Sequence, residues 1–275
     1  MNESLRAFAA AVQRPDPDID LGRAALLIAK AEEPDLDVER YLVRLDQLAD
    51  QTKARGWTPD PLGRLHRLRE FLFEEEKFRG NADDYFDPRN SFLNEVLDRK
   101  LGIPITLSLV VMEVGRRLGL RFEGIGLPGH FIVRFLADAA EVLLDPFHEG
   151  ASLTRDGCHE VVARVLGGPV PLNDGHFLPV TKRQFLARML GNLKGIYWRK
   201  EAWEKVTRVL DRLLVLEPDS PEELRDRGLV LTNLGEFQRG IADWERYLRE
   251  HSDGPSADLV RENLRKLRQN LATLN

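Results

Sequence analysis

The sequence predicts an α+β protein, with helices first, a short antiparallel sheet in the middle and an all-α region to the end. Three observations carry this. Apolar residues recur at three-to-four spacing from Leu5 to Arg79, as in Ala24, Leu27, Ile28 and Ala31 and again in Tyr41, Leu42, Leu45 and Leu48. Between Arg121 and Leu144 the pattern changes to short runs rich in β-branched and aromatic residues, separated by Gly, Pro or Asp. Helical spacing returns from Thr181 onward.

Taken in order, Pro15-Asp16-Pro17, Glu33-Pro34 and Gly56-Trp57-Thr58-Pro59 punctuate the first helices. Pro61 to Phe78 is expected to be helical, with Leu65, Leu68, Phe71, Leu72 and Phe78 inward and Glu74-Glu75-Glu76 solvated. Asn90 or Ser91 is expected to cap a helix carrying Asn94 and Glu95 in its first turns. The next helix should start near Pro104, since proline has no N–H to lose in a first turn, and close at Gly119. Three strands follow, at Arg121 to Ile125, His130 to Leu136 and Glu141 to Leu144, then a helix at Glu160 to Leu166 and a loop through Pro171. The expected domains are residues 1–180 and 181–275.

Composition excludes several classes. The chain has 275 residues, 43% of them hydrophobic, enough to bury a core and so not disordered throughout. Forty basic and forty-five acidic residues give a net charge of −5, which attracts neither nucleic acid nor an anionic membrane. The lone cysteine, Cys158, excludes an internal disulfide and a multi-cysteine zinc site and favours a reducing compartment. The amino end does not read as a secretory signal, and the most apolar stretch, Ile103 to Val114, is broken by Glu113. A cytoplasmic protein is expected.

In the C-terminal region a period of 34 residues pairs Tyr197 with Leu231, Trp203 with Phe237, Val206 with Gly240, Leu210 with Trp244 and Leu213 with Tyr247. With Gly228, Leu234-Gly235 and Pro218, this resembles tetratricopeptide repeats. Lys194 and Val206 depart from that pattern, so the expectation is one good repeat, one degenerate repeat and a final helix from Ser256 to Leu271. Such hairpins bind extended peptides or partner helices, or in a two-unit array can equally serve as a packed extension of the first domain. Arg188, Lys194, Arg199, Lys200, Arg225, Arg227 and Arg239 would suit an acidic peptide if they lined one groove. The basic residues of the final helix, Arg261, Arg265, Lys266 and Arg268, are read as a solvated face.

Gly124-Ile125-Gly126-Leu127-Pro128-Gly129 matches a dinucleotide-binding fingerprint in letters, but the following His130-Phe131-Ile132-Val133 is strand-like, so no helix N-terminus would meet a pyrophosphate. His130 and Asp145 stand at strand edges. Two neighbouring antiparallel strands could set them side by side, either as a base oriented by a carboxylate or as a structural histidine satisfied by one. Cys158-His159 with His148 or His176 has no recognised metal-ligand spacing, so neither a metal nor any other cofactor is expected.

Asn90-Ser91-Phe92-Leu93, Gly102-Ile103-Pro104-Ile105-Thr106-Leu107-Ser108, Arg117-Leu118-Gly119-Leu120, Gly124, Pro128-Gly129-His130-Phe131 and Asp145-Pro146-Phe147 together resemble the bacterial SirB1-like family. The resemblance implies a transglutaminase-like fold joined to tetratricopeptide-type repeats, with a papain-like site in which a thiolate opens the central helix and a His and an Asp follow on the sheet. His130 and Asp145 take the last two places. The thiol's place falls near Pro104 or Ile105, which have no nucleophile. Thr106 and Ser108 are the nearest hydroxyls, although each residue along a helix turns about 100° round its axis and so faces elsewhere. Asn90 is a candidate ligand-binding or oxyanion-stabilising amide. The expected function is a non-catalytic, protein-binding or assembly module. The alternative is an acyl-transfer or amide-hydrolysing enzyme using His130 and Asp145 with Thr106, Ser108 or water, and a weaker reading is a regulator acting through an acidic partner or a DNA-associated complex. A protein or peptide partner is expected, and a membrane or nucleic acid is not.

Overall fold

In the computed structural model, which describes residues 2–137 and 140–273, the chain divides into two compact units. One comprises Ala10–Met189; the other comprises Leu190–Asn275 together with Met1–Ala9. The division therefore falls about ten residues beyond the expected boundary, inside a continuous helix.

In the unit of residues 10–189, α2 (Leu21–Ala29), α3 (Val38–Ala54) and α4 (Pro61–Arg69) each begin at an aspartate, Asp20, Asp37 and Asp60. The side chain of each accepts a backbone N–H three residues on. Helix α2 is buried on nearly every side. A Cβ at Gly22 would lie 2.9 Å from Glu113 Oε2, so glycine permits close approach there. The helix expected to reach Phe78 instead widens after α4 into a π-helical turn, Glu70–Glu75, burying Phe71, Leu72 and Phe73. Two of the three glutamates read as solvated are tied down, Glu75 to Arg55 and Arg67 and Glu76 to Lys100.

Short parallel strands β1 (Arg79–Gly80) and β2 (Leu101–Gly102) flank α5 (Leu93–Arg99). Asn90 and Ser91 do not cap α5, contrary to expectation. They lie in a 3-10 turn, Pro88–Ser91, and Phe92 takes the cap position without a side-chain bond. Helix α6 (Pro104–Arg117) begins at the expected proline and is buried without a break from Pro104 to Val111. Such a helix belongs in the middle of a core rather than on a surface.

The sheet runs β3 (Arg121–Ile125), β4 (Ile132–Ala137), β5 (Ala140–Asp145) and β6 (Ala151–Leu153), antiparallel and in that order. The last strand was not foreseen, being only three residues long. Phe122 of β3 packs on Gly115 of α6, where a Cβ would sit 2.3 Å from the ring. Helix α7 (Arg155–Leu166) starts five residues before the expected Glu160 because Thr154 caps it by accepting from Gly157 N.

The second unit contains the rest of α8 (Lys182–Arg199), then α9 (Trp203–Leu216), α10 (Pro221–Asn233), α11 (Phe237–Glu250) and α12 (Pro255–Thr273). The 34-residue period is visible as packing. Gly228 of α10 lies under Trp244 of α11, where a Cβ would be 2.3 Å from the indole, and Trp244 Nε1 donates to Arg225 O at 3.0 Å. The start of α1 (Glu3–Val12) joins this unit through Phe8, which is fully buried under the Arg212 guanidinium, while Arg212 also donates to Ser4 Oγ.

Candidate functional site

Strand register brings the expected pair together. Val133 of β4 stands opposite Leu144 of β5, so the residues at the start of β4 run alongside Asp145, the last residue of β5. His130 is carried there by the Leu127-Pro128-Gly129 turn, in which Gly129 has φ +68° and His130 N donates to Leu127 O at 3.2 Å. Its Nε2 donates to Asp145 Oδ2 at 2.9 Å. Both side chains are almost wholly buried. Arg188 fixes the turn from behind, donating to Leu127 O and His130 O, each at 2.6 Å.

A third residue completes the cluster, and sequence spacing did not reveal it. After Asp145 the chain makes a 3-10 turn, Pro146–His148, in which Phe147 N donates to Asp145 Oδ1 at 3.0 Å. The turn carries His148 back over the carboxylate, so that its Nδ1 donates to the same Oδ2 at 2.7 Å. The sequence shows only that His148 stands three residues after Asp145, a separation that does not by itself reveal the turn. Phe147 fits because Gly80 has no side chain: a Cβ there would lie 2.6 Å from the ring.

The electrostatics follow from these bonds. Burial alone would raise the Asp145 carboxyl, but donation and charge from His130, then from His148, outweigh it and hold the group below the ordinary carboxylate value. Cys158 behaves in the opposite way. It packs among Ile125, Leu127, Ile132, Leu143, Val162 and Phe177, and burial, with the Asp145 charge adding to it, pushes its thiol up to about 11. That thiol stays protonated near neutrality and is no nucleophile.

The two candidate hydroxyls do not hydrogen-bond to His130. Thr106 Oγ1 donates to Asn90 O at 2.7 Å and accepts from Ile103 N at 3.1 Å, capping α6. Ser108 Oγ is buried with no hydrogen-bond partner among the described residues. Asn90 is equally occupied. Its Oδ1 accepts from Asn81 and Arg99, and its Nδ2 donates to Asp84 O and Tyr85 O, which uses both lone pairs and both protons of the amide. No capacity remains for an oxyanion.

The glycine-rich stretch leads from β3 into β4 and never meets a helix N-terminus. Four of the basic residues of the repeat region are paired with carboxylates of the same region. Lys194 is bound by Glu223 and Asp226, and Arg227 lies between Asp211 and Asp243. Arg225 pairs with Asp226 and Arg239 with Glu236. Among the described residues no helix is long and apolar enough to cross a membrane.

A buried His-Asp pair on an antiparallel sheet beside a buried helix is the arrangement the motifs implied, and residues 39–191 match the profile of the transglutaminase-like superfamily. The chain belongs to that superfamily. Residues 193–265 match a tetratricopeptide repeat profile. A "UPF0162 protein" of Xylella fastidiosa (strain Temecula1) is 38% identical over 258 residues, covering 90% of each chain. Another, from Vibrio cholerae, is 29% identical over 260 residues, covering 92% of this chain and 95% of its own. These relatives confirm the SirB1-like resemblance of this transglutaminase-like chain. "F-box only protein 21" of Mus musculus is 28% identical over 182 residues, 62% of this chain but 28% of that protein.

Proposed function

We propose that this transglutaminase-like protein is non-catalytic and acts in the cytoplasm as a binding or assembly module, with the helical repeats engaging protein partners. One observation supports this above the others: Pro104 and Ile105, near which the resemblance places the attacking thiol, form the buried start of α6 and carry no nucleophile. Neither nearby hydroxyl compensates, since Thr106 is committed to Asn90 and Ser108 makes no bond to His130. Without a nucleophile, a base oriented by a carboxylate has nothing to activate except water. The match to F-box only protein 21, which spans 28% of that protein, fits a module that can also form part of a larger chain. Because Lys194 and Arg227 are held by carboxylates of the chain itself, they are not available to an acidic peptide.

The rival is hydrolysis by an activated water. It draws on His130, whose ring spends one nitrogen on Asp145 and makes no other hydrogen bond among the described residues. The purified full chain is incubated with a glutamine-containing peptide, a primary amine and an activated ester, beside His130→Ala. Equal, background-level release of ammonia and acid from both proteins is expected. Turnover by the native chain that disappears in His130→Ala overturns the proposal.

A further inference from the structure

We propose that His130, Asp145 and His148 bind a divalent transition-metal ion of the zinc class. Two imidazole nitrogens and a carboxylate oxygen, one donor from each residue, lie within 4.8 Å of one another. Two neutral nitrogens and one anionic oxygen are the donors of three-ligand zinc sites, whereas calcium and magnesium take oxygen ligands.

The convergence is specific. Both rings aim at a single atom, Asp145 Oδ2, at 2.9 Å from His130 Nε2 and 2.7 Å from His148 Nδ1. The protons of these two bonds occupy the space a cation would fill. Zinc bonds of about 2.0–2.2 Å in tetrahedral geometry hold their donors roughly 3.3 Å apart, so the two nitrogen–oxygen edges of the triangle need to lengthen by about half an ångström while the two nitrogens lie within 4.8 Å. Two of its corners are held. Phe147 N occupies Oδ1 and leaves Oδ2 as the donor, while Arg188 grips the His130 carbonyl. The third corner can move, because the His148 side chain is 45% exposed on a short turn, and this also provides the entry path. His130 would ligate through Nε2 with its proton on Nδ1, the tautomer that a metal-bound imidazole adopts. Three protein ligands leave a coordination position for water or for a group of a partner.

The test uses the full chain, freed of metal by a chelator and dialysed. It is titrated with Zn²⁺ by calorimetry and with Co²⁺ by visible absorption, alongside His148→Ala, Asp145→Asn and the control His159→Ala. One ion per chain is expected in the native protein and the control, with affinity reduced at least ~100-fold in the other two variants, beyond the 10- to 100-fold that loss of an outer-shell partner brings. Absence of stoichiometric binding overturns the proposal, as does equal binding by the native chain and His148→Ala. If Asp145→Asn does not fold, X-ray absorption on the zinc-loaded native chain decides alone. Two imidazoles with oxygen ligands support the site, and a sulfur ligand or a single imidazole refutes it. The measurement reads binding and not turnover, so it can fail without touching the non-catalytic reading, and the converse holds.

Discussion

The two compact units bury different things. In residues 10–189 the interior holds Asn90, Ser91, Asn94, Thr106, Ser108, His130 and Asp145, most of them joined by hydrogen bonds. In residues 190–275 it holds mainly apolar side chains, among them Trp244, Tyr247, Leu214, Leu224, Val260 and Leu264, and among the described residues its buried polar groups are Thr207, Arg212 and Asp243, the last paired with Arg227. Burying a polar group is costly unless it is matched, and apolar residues of the same volume serve stability at least as well. Stability accounts for the repeat core, where shape matters most. It does not account for a network in which one carboxylate serves two histidines, and that is why the candidate site is placed there.

The largest test of this contrast is steric. Trp244→Ala removes the indole that covers Gly228 and its bond to Arg225 O, and a large buried aromatic truncated to Ala costs about 3–5 kcal/mol. Urea unfolding of the full chain, followed by tryptophan fluorescence and by circular dichroism, should show the helical repeats melting first while the sheet unit keeps its midpoint. A loss below about 1 kcal/mol would mean that the period of small and large residues does not hold this unit together.

The polar unit should be sensitive to chemistry rather than to volume. Asn90→Ala leaves the buried Asn81 amide without its partner, whereas the carbonyls of exposed Asp84 and half-buried Tyr85 can turn to water. About 2–3 kcal/mol is expected, since a buried unmatched group costs about 1–3 kcal/mol. Thr106→Val keeps the shape but loses the bonds to Asn90 O and from Ile103 N, for about 1–2 kcal/mol. If Asn90→Ala melted no earlier than Thr106→Val, the wiring around Asn90 would be incidental.

How much of this was legible in the sequence differs between the units for the same reason. The repeat unit is built from local spacing, so Trp203 with Phe237 and Leu210 with Trp244 could be paired by counting, and the helices fall where the period puts them. The sheet was readable where strands alternate with turn residues, and its register then placed His130 beside Asp145. What escaped was set by contacts far apart in sequence. Asn90 looked like a helix cap because caps favour Asn, but Asn81 and Arg99 claim its side chain instead. His148 looked like a loop histidine because nothing in its spacing shows that a 3-10 turn folds it over Asp145. The division near Met189 depends on the first nine residues packing with the repeats, a contact between the ends of the chain.

An effect confined to high pH concerns the boundary between polar and apolar burial inside the sheet unit. Asp145 is drawn below the ordinary carboxylate range by its donors, whereas Cys158, buried in an apolar cluster and sensing the charge of Asp145, is raised from 9.0 to about 11. A folded-state value above the unfolded one favours the protonated thiol in the fold. Its contribution is therefore complete below about pH 9 and is lost as pH rises toward 11, by about 2 kcal/mol. Other groups titrate in that range, so the quantity to measure is the difference in urea midpoint between the native chain and Cys158→Ala at pH 8 and at pH 11. The native chain should lose stability relative to the variant over that interval. Iodoacetamide at pH 8.5 gives an independent reading, because a thiol titrating near 11 is only ~0.3% ionised there. Alkylation of the folded chain as fast as a free thiol would show that Cys158 meets solvent, and the apolar wall beside Asp145 would then be open.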